Sequence, residues 1–403
     1  MKLRILPPEE MLDTELTLPL SKSMSVRAVA MEAMGAAYTG PLAACADVDA
    51  MRRVAGSTHG EADAGESGAA LRFGMAMMAA TEGSDVTLTG SPRLLQRPME
   101  PLVQALCSLG ADVEMSAAGV RVHGRRLDGG ELRFDATVSS QYVSALLMAA
   151  PMMRQGLKIT IDWNQPSLPY IDMTLAMMRA RGIDASRDGV EIAVRPGSYV
   201  PPAAPDVEYD WSAATFWYEI AALTAGFVTL RGLQAQSVQP DRAVADVFTR
   251  LGVVTGFDAG GAQLSADPEM HARLDLDCSP MPDAVPALAV TASLLGVPFE
   301  LAGVAALRHK ECDRIAAIVE ELARTGAVVD YDRGTLVWDG RRVPVGEMPE
   351  FDARGDHRMA MALAPVAVFA PGIIISGAEC VDKSYPDFWD HLRAAGFEVE
   401  EVE

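Results

Sequence analysis

The chain has 403 residues, 49% hydrophobic and 22% charged, which is too long for one ordinary core and too apolar for a disordered protein. Its formal net charge of −21 argues against nucleic acid and anionic membrane as partners. No apolar run reaches the roughly 18 residues of a membrane span, and MKLRILPPEEML meets Pro and Glu before any secretory-type apolar stretch. Five cysteines, Cys45, Cys107, Cys278, Cys312 and Cys380, form no C-x-x-C pair, which points to a reducing cytoplasm and no structural zinc.

Along the chain one phrase recurs about six times. It is a small or polar start, an apolar helix, a strand ending at or near Gly, a loop, a second helix and a short strand. The openings are SKSMSVRAVAMEAMG from Ser21, SGAALRFGMAMMAA from Ser67, SSQYVSALLMAAP from Ser139, WSAATFWYEIAAL from Trp211, MPDAVPALAVTASLLG from Met281 and DHRMAMALAPVAVFA from Asp356. From the second copy onward they lie about 70 to 75 residues apart, while the first copy is shorter and less clear. The second halves start at Val86, Ile159, Val228, Phe299 and Ile373. Each begins with a β-branched strand and enters a helix with apolar residues at i, i+3, i+4 and i+7. That helix ends at a Gly suited to a left-handed cap. The first helices are almost wholly apolar and belong in a core, with their Met residues as filler.

This pattern predicts an α/β (α+β) fold of split βαβ-type units with mixed sheets and buried helices. Six units divide into two sets of three if a boundary follows the third, and the Pro-rich segment Tyr199–Asp210 lies there. If the strand Leu3–Leu6 pairs with the later half, the chain crosses twice. The expected domains are then 1–18 with 209–403, and 19–208.

Helix starts are natural anion sites, because their first N–H groups lack partners within the helix. Ser139, Ser140 and Gln141 suit a phosphate, although N-capping alone explains a serine there. Lys22 and Ser23 add an ammonium to the same arrangement, with Arg27 one turn later. Asp283 follows Pro282 at the fifth helix start, where capping is again the alternative. Asp356, His357 and Arg358 open the sixth. The loops after the strands supply Arg97, Ser167 with Tyr170, Lys310 and Glu311 with Arg314, and Lys383. Read alone, RHKECDR suits a solvated, salt-bridged face. Only five of the 34 basic residues are Lys, and Lys22, Lys310 and Lys383 occupy such starts and loops. Cations gathered in a net-acidic protein imply a small polyanionic substrate, held in a cleft if the two domains face each other. There is no G-x-G-x-x-G after a strand, no P-loop, no H-E-x-x-H and no G-x-S-x-G, and the six His lack metal spacing. Acid–base chemistry without cofactor or metal is the expectation.

Taken in order, LPLSKSMSVRA, SPRLLQRP, SSQYVSALLMAAP, SLPYIDMT, HKECDR, GDHRMAM and DKSYPDFW resemble the EPSP synthase (3-phosphoshikimate 1-carboxyvinyltransferase) family over nearly the whole chain. The resemblance implies two domains of three units each, an inverse α/β barrel-like arrangement with the site in the cleft between them. It implies transfer of the enolpyruvyl group of phosphoenolpyruvate to the 5-hydroxyl of shikimate 3-phosphate, by addition and then loss of phosphate, in aromatic amino acid biosynthesis. Asp283 then matches the base, and Lys22 and Glu311 match groups that move protons. Lys22, Ser23, Arg27, Ser139, Ser140, Gln141, Ser167, Tyr170, Asp283 and Lys310 match the shikimate 3-phosphate ligands. Lys22, Gly68, Arg97, Gln141, Arg314, Arg358 and Lys383 match the phosphoenolpyruvate ligands, with His357 beside them. A cytoplasmic monomer is expected, because one chain would supply the whole cleft.

The family's N-A-G-T-A-x-R loop stands here as Glu66 to Arg72, with Glu for Asn and Ala69 for Thr. The family Asn four residues before the loop lysine is Ala306. These departures bear on affinity for phosphoenolpyruvate and for glyphosate, its competitor in the family, more than on reaction type. Two alternatives remain: an enolpyruvyl transferase acting on UDP-N-acetylglucosamine, and a non-catalytic anion-binding relative. The first expects Lys-Asn where Lys22-Ser23 stands, and a reactive loop Cys.

Overall fold

A helix that is apolar on every side has to be covered on every side, and this chain has such helices in the second to sixth copies of its repeat. The structure, a computed structural model, describes residues 1–134, 139–163, 165, 167–346 and 350–402; Asn164 and Pro166, in the loop before Ser167, lie outside them. In Gly68–Ala80 every residue but Ala69 is buried, and Ser140–Ala149, Trp211–Thr224, Val285–Leu295 and His357–Leu363 are enclosed in the same way. Gly74 is needed for this closeness, since a Cβ there would stand 2.3 Å from Val54 Cγ1 of the helix Ala46–Ala55.

The covering comes from sheets. Among the described residues there are five four-stranded sheets, all built in one way: a strand, a parallel neighbour, then two antiparallel strands. One runs His59–Asp63, Asp85–Thr89, Gly119–His123, Asp112–Ser116. Another runs Gly130–Arg133, Leu157–Thr160, Glu191–Val194, Ala185–Asp188. A third runs Leu274–Asp277, Phe299–Ala302, Thr335–Trp338, Asp330–Asp332. The other two borrow from the N-terminus. Asp13–Thr17 lies parallel to Phe227–Arg231, and Lys2–Leu6 lies antiparallel between Ile373–Ser376 and Glu398–Val402. The first copy differs: between Lys22 and Ala55 it has two helices and, among the described residues, no strand. Its linking segment, GAAYTGPLAAC, carries Gly and Pro where the other copies have β-branched runs.

The chain parts into two compact units, Leu20–Glu208 and Met1–Pro19 with Tyr209–Glu403. Each has its own apolar core. The amphipathic second helices Glu100–Ser108, Leu168–Ala180, Val244–Thr249, Arg314–Ala323 and Phe388–Ala394 are each followed by a glycine, with φ between 79° and 95° at Gly110, Gly182, Gly252, Gly326 and Gly396. No described helix is long and apolar enough to cross a membrane.

A carboxyl also lies inside a core helix. Glu219, in Trp211–Thr224, is 0% exposed. Burial pushes its carboxyl well above the usual range, with Thr291 acting in the opposite sense. A carboxyl whose folded pKa is raised contributes stability below the unfolded value near 4.5 and loses it as pH rises, by about 1.4 kcal/mol per pH unit. Glu219→Gln is therefore expected to raise the melting temperature more at pH 8 than at pH 5. An equal shift at both values, read by calorimetry, would remove this account.

Candidate active site

The polar residues of each unit collect at the starts of the enclosed helices. In the unit Leu20–Glu208, three serines cap these starts: Ser21 Oγ accepts from the Met24 N–H (3.4 Å), Ser67 Oγ from Ala70 (3.2 Å) and Ser139 Oγ from Gln141 (3.3 Å). Capping thus accounts for Ser139. Ser140 is the first residue of its helix and is 8% exposed. Lys22 opens its own helix and pairs with Asp47 Oδ2 at 3.2 Å.

Arg27, 4% exposed, ties three helices together. Its Nε donates to Thr174 Oγ1 (2.7 Å), its Nη1 to the Ser23 carbonyl (2.8 Å) and its Nη2 to Ser144 Oγ (3.4 Å). The Thr174 hydroxyl also bonds Ser144 Oγ and the Tyr170 carbonyl. Burial brings the guanidinium down to about 10, so it remains charged at neutral pH. This cluster joins Ser23 and Tyr170, which lie far apart in sequence. Ser167 starts its helix in the left-handed region, φ 57°, an unusual conformation for a residue other than glycine.

Gly68 stands between two guanidiniums. A Cβ there would lie 2.7 Å from Arg72 Nη1 and 2.9 Å from Arg97 Nη1. Arg72 Nη1 also donates to Gln141 Oε1 at 2.6 Å, and its guanidinium stacks 5.3 Å from the Tyr142 ring centre. Gly68, Arg97 and Gln141 are thus brought to one place around Arg72. Glu66 is exposed and Ala69 half-buried beside them.

The other unit concentrates charge more strongly. Asp283 lies in the 3-10 turn Pro282–Ala284 and does not cap the following helix. Its carboxylate instead takes cations: Oδ1 accepts from Lys310 Nζ (3.1 Å) and Arg314 Nη1 (2.8 Å), and Oδ2 pairs with Arg358 Nη2 (3.0 Å). Arg314, 1% exposed, also donates from Nε to Asp356 Oδ2 (2.7 Å), and from Nη2 to Asp356 Oδ1 (3.1 Å) and Glu311 Oε2 (3.0 Å). These carboxylates hold its pKa well above the ordinary value against the cost of burial. Lys310 moves the other way, lowered by burial with Asp283 opposing. RHKECDR is therefore no solvated face: its Arg314 is enclosed, while Arg308 remains outside against Asp313 and the Tyr331 ring. His357 and Lys383 are buried, and Ala306 is exposed in the turn Ala305–His309.

Several contacts at these places were not legible in the sequence, even where the residue itself was read at a helix start. Asp356 caps its helix through the Arg358 N–H (3.0 Å), accepts from the Cys312 thiol (3.6 Å) and holds Arg314. Asp241, 1% exposed, accepts from the Ser212 hydroxyl; burial raises its carboxyl to about 6, with Arg358 pulling it down. Asp47 could have been sought as a counter-ion for Lys22. Nothing in VQPDRAVADV singles out Asp241.

A protein-family profile described as EPSP synthase (3-phosphoshikimate 1-carboxyvinyltransferase) matches residues 43–392. Relatives named 3-phosphoshikimate 1-carboxyvinyltransferase include those of two Bacteroides fragilis strains, 39% identical over 393 residues and 40% over 392, each covering 95% of this chain and 95% of the relative. That of Methanoculleus marisnigri is 35% identical over 341 residues, 83% of this chain and 79% of the relative. The solved EPSP synthase of Acinetobacter baumannii aligns with a TM-score of 0.76 at 22% identity, over 99% of this chain and 100% of that one, and shows the same fold.

Arg314→Met would leave Asp356 buried without its bidentate partner. A loss of about 3–5 kcal/mol in unfolding free energy is expected from denaturant titration. A change under about 1 kcal/mol would mean that the network is not a structural support.

Proposed function

The chain belongs to the EPSP synthase (3-phosphoshikimate 1-carboxyvinyltransferase) family, and we infer from that membership that it transfers the enolpyruvyl group of phosphoenolpyruvate to the 5-hydroxyl of shikimate 3-phosphate. The products are 5-enolpyruvylshikimate 3-phosphate and phosphate. The observation that carries the reading is Asp283 with Lys310, Arg314 and Arg358 on its two oxygens and Glu311 on the same arginine. Such a group offers a carboxylate for proton transfer among cations for anionic substrates.

Asp283 takes the proton of the 5-hydroxyl as that oxygen attacks C2 of phosphoenolpyruvate. A proton added at C3 turns the methylene into a methyl group and gives the tetrahedral adduct. Loss of phosphate from C2, with return of a C3 proton to the protein, restores the double bond. Lys22 and Glu311 serve the C3 and phosphate protons. Ser139, Ser140 and Ser167 bind the shikimate phosphate, with Ser23, Arg27, Tyr170, Gln141 and Lys310 orienting that substrate. Arg97, Arg314, Arg358 and Lys383, with Lys22, Gly68 and Gln141, bind phosphoenolpyruvate. Cysteine usage supports action in the cytoplasm. Because one chain holds all these residues, the reading takes a monomer as the acting species.

Transfer to UDP-N-acetylglucosamine is disfavoured by Ser23 and by the paired serines at 139 and 140. A binding relative without catalysis would have no use for Asp283 and Glu311 together. Phosphate release separates the three. It is expected with phosphoenolpyruvate and shikimate 3-phosphate, and not with UDP-N-acetylglucosamine as acceptor; silence with shikimate 3-phosphate refutes the reading.

Asp283→Asn and Glu311→Gln are each expected to lower kcat by roughly 10²- to 10⁴-fold. Steady-state rates that fall less than about tenfold would remove either residue from proton transfer. In the altered loop, Glu66→Asn with Ala69→Thr is expected to lower the KM for phosphoenolpyruvate, because a carboxylate beside a bound phosphate is repulsive. Glyphosate inhibition should shift with it, and unchanged values of both would detach the loop from the donor.

A further inference from the structure

A carboxylate gripped by cations is a weak base, and an arginine already holding a carboxylate is a poor receptor for another anion. Asp283 and Arg358 are in that state towards each other, with Asp283 Oδ2 and Arg358 Nη2 at 3.0 Å. The two arginines on Asp283 are not equivalent. Arg314 is 1% exposed and locked through Nε and Nη2 onto both oxygens of Asp356. Arg358, 3% exposed, is tied to Asp356 through its backbone N–H (3.0 Å), so a shift of its guanidinium off Asp283 leaves that helix cap in place. Asp283 is itself 17% exposed in its side chain, which leaves it open to a substrate hydroxyl.

We propose that Asp283 is the internal competitor of the donor's anion, a reading that rests on the function inferred above. The carboxylate of phosphoenolpyruvate draws Arg358 off Asp283 Oδ2. Relieved of one cation, Asp283 becomes a stronger base towards the 5-hydroxyl. No covalent bond changes in this exchange: one ion pair replaces another, and the proton that Asp283 later takes comes from the hydroxyl. The base is therefore strengthened only when the donor is in place. Lys310 and Arg314 remain on Oδ1 (3.1 and 2.8 Å) and keep the carboxylate oriented. The free protein carries the cost of the exchange as reduced donor affinity, since its clamp is partly occupied from within.

Isothermal titration of phosphoenolpyruvate into the free protein compares the parent with Asp283→Asn and Asp283→Glu. The Asn variant is expected to bind about tenfold more tightly than the parent while failing to turn over. The Glu variant keeps the charge and should show no such gain. Equal, weaker or undetectable binding by the Asn variant overturns the proposal, as does the same gain in the Glu variant. Asp283→Ser carries the same expectation should the Asn variant not fold, which a thermal melt reveals. Phosphate release by the parent with both substrates is a separate measurement. Its absence defeats the enzymatic reading and leaves the titration to decide the competition.

Discussion

The enclosed helices impose the constraint from which the rest of this protein follows. A helix such as Gly68–Ala80, buried along nearly all of its length, carries its polar groups chiefly towards its start. At the start, its first N–H groups need acceptors. Serine and aspartate supply them at Ser21, Ser67, Ser139, Asp210 and Asp356. Charge that function requires has to be placed in the residues just after these caps, or in loops that reach them. Lys22, Gln141 and Arg358 lie in the first turns of their helices.

Placing cations there is costly unless carboxylates accompany them. Arg314 shows how the cost is met. Asp356 accepts two of its N–H groups, and Asp356 itself also takes the Arg358 N–H and the Cys312 thiol. A second tie holds the same pair of elements together. Glu321, 0% exposed on the helix Arg314–Ala323, accepts from Arg354 (2.8 Å) and from the Asp352 N–H (3.3 Å), both in the segment leading to Asp356. Arg354 stands at φ 53°, a left-handed conformation unusual for a residue with a side chain. The two ties fix the distance between Arg314 and the helix start at His357, and with it the spacing of the two guanidiniums on Asp283.

The mixed α/β character and the repeated unit were legible because period 3.6 and β-branched runs alternate at a regular spacing. The apolar first helices identified their own burial. What the sequence concealed were the partners. Asp47 and Asp241 look like ordinary acidic residues among 55, and Asp356, although read at a helix start, gave no sign of its hold on Arg314. Only folding shows which of them are shielded from water and which face a cation. The missing sheet in the first copy was hidden in the same sense: its irregular reading signalled a difference, but not that strands would be absent there. Asp283 was read at a helix start, where capping was the simplest role, yet the 3-10 turn holds it ahead of the helix and gives its oxygens to cations. The substrate roles of these residues came from resemblance, since spacing alone cannot distinguish a phosphate ligand from a cap.

The altered loop before Gly68 tests how much of this arrangement depends on side chains. Its backbone is set by three things that the departures leave intact. Ser67 still caps the helix through the Ala70 N–H (3.2 Å). Gly65 takes φ 57°. Gly68 remains where any Cβ would lie within 3 Å of two guanidiniums. Glu66 is exposed and Ala69 half-buried, with a methyl in place of the family's hydroxyl-bearing side chain. The cap and the two glycines therefore do not depend on which side chains stand at 66 and 69. The charge of Glu66 is the departure with the longest reach, since charge acts several ångströms beyond contact.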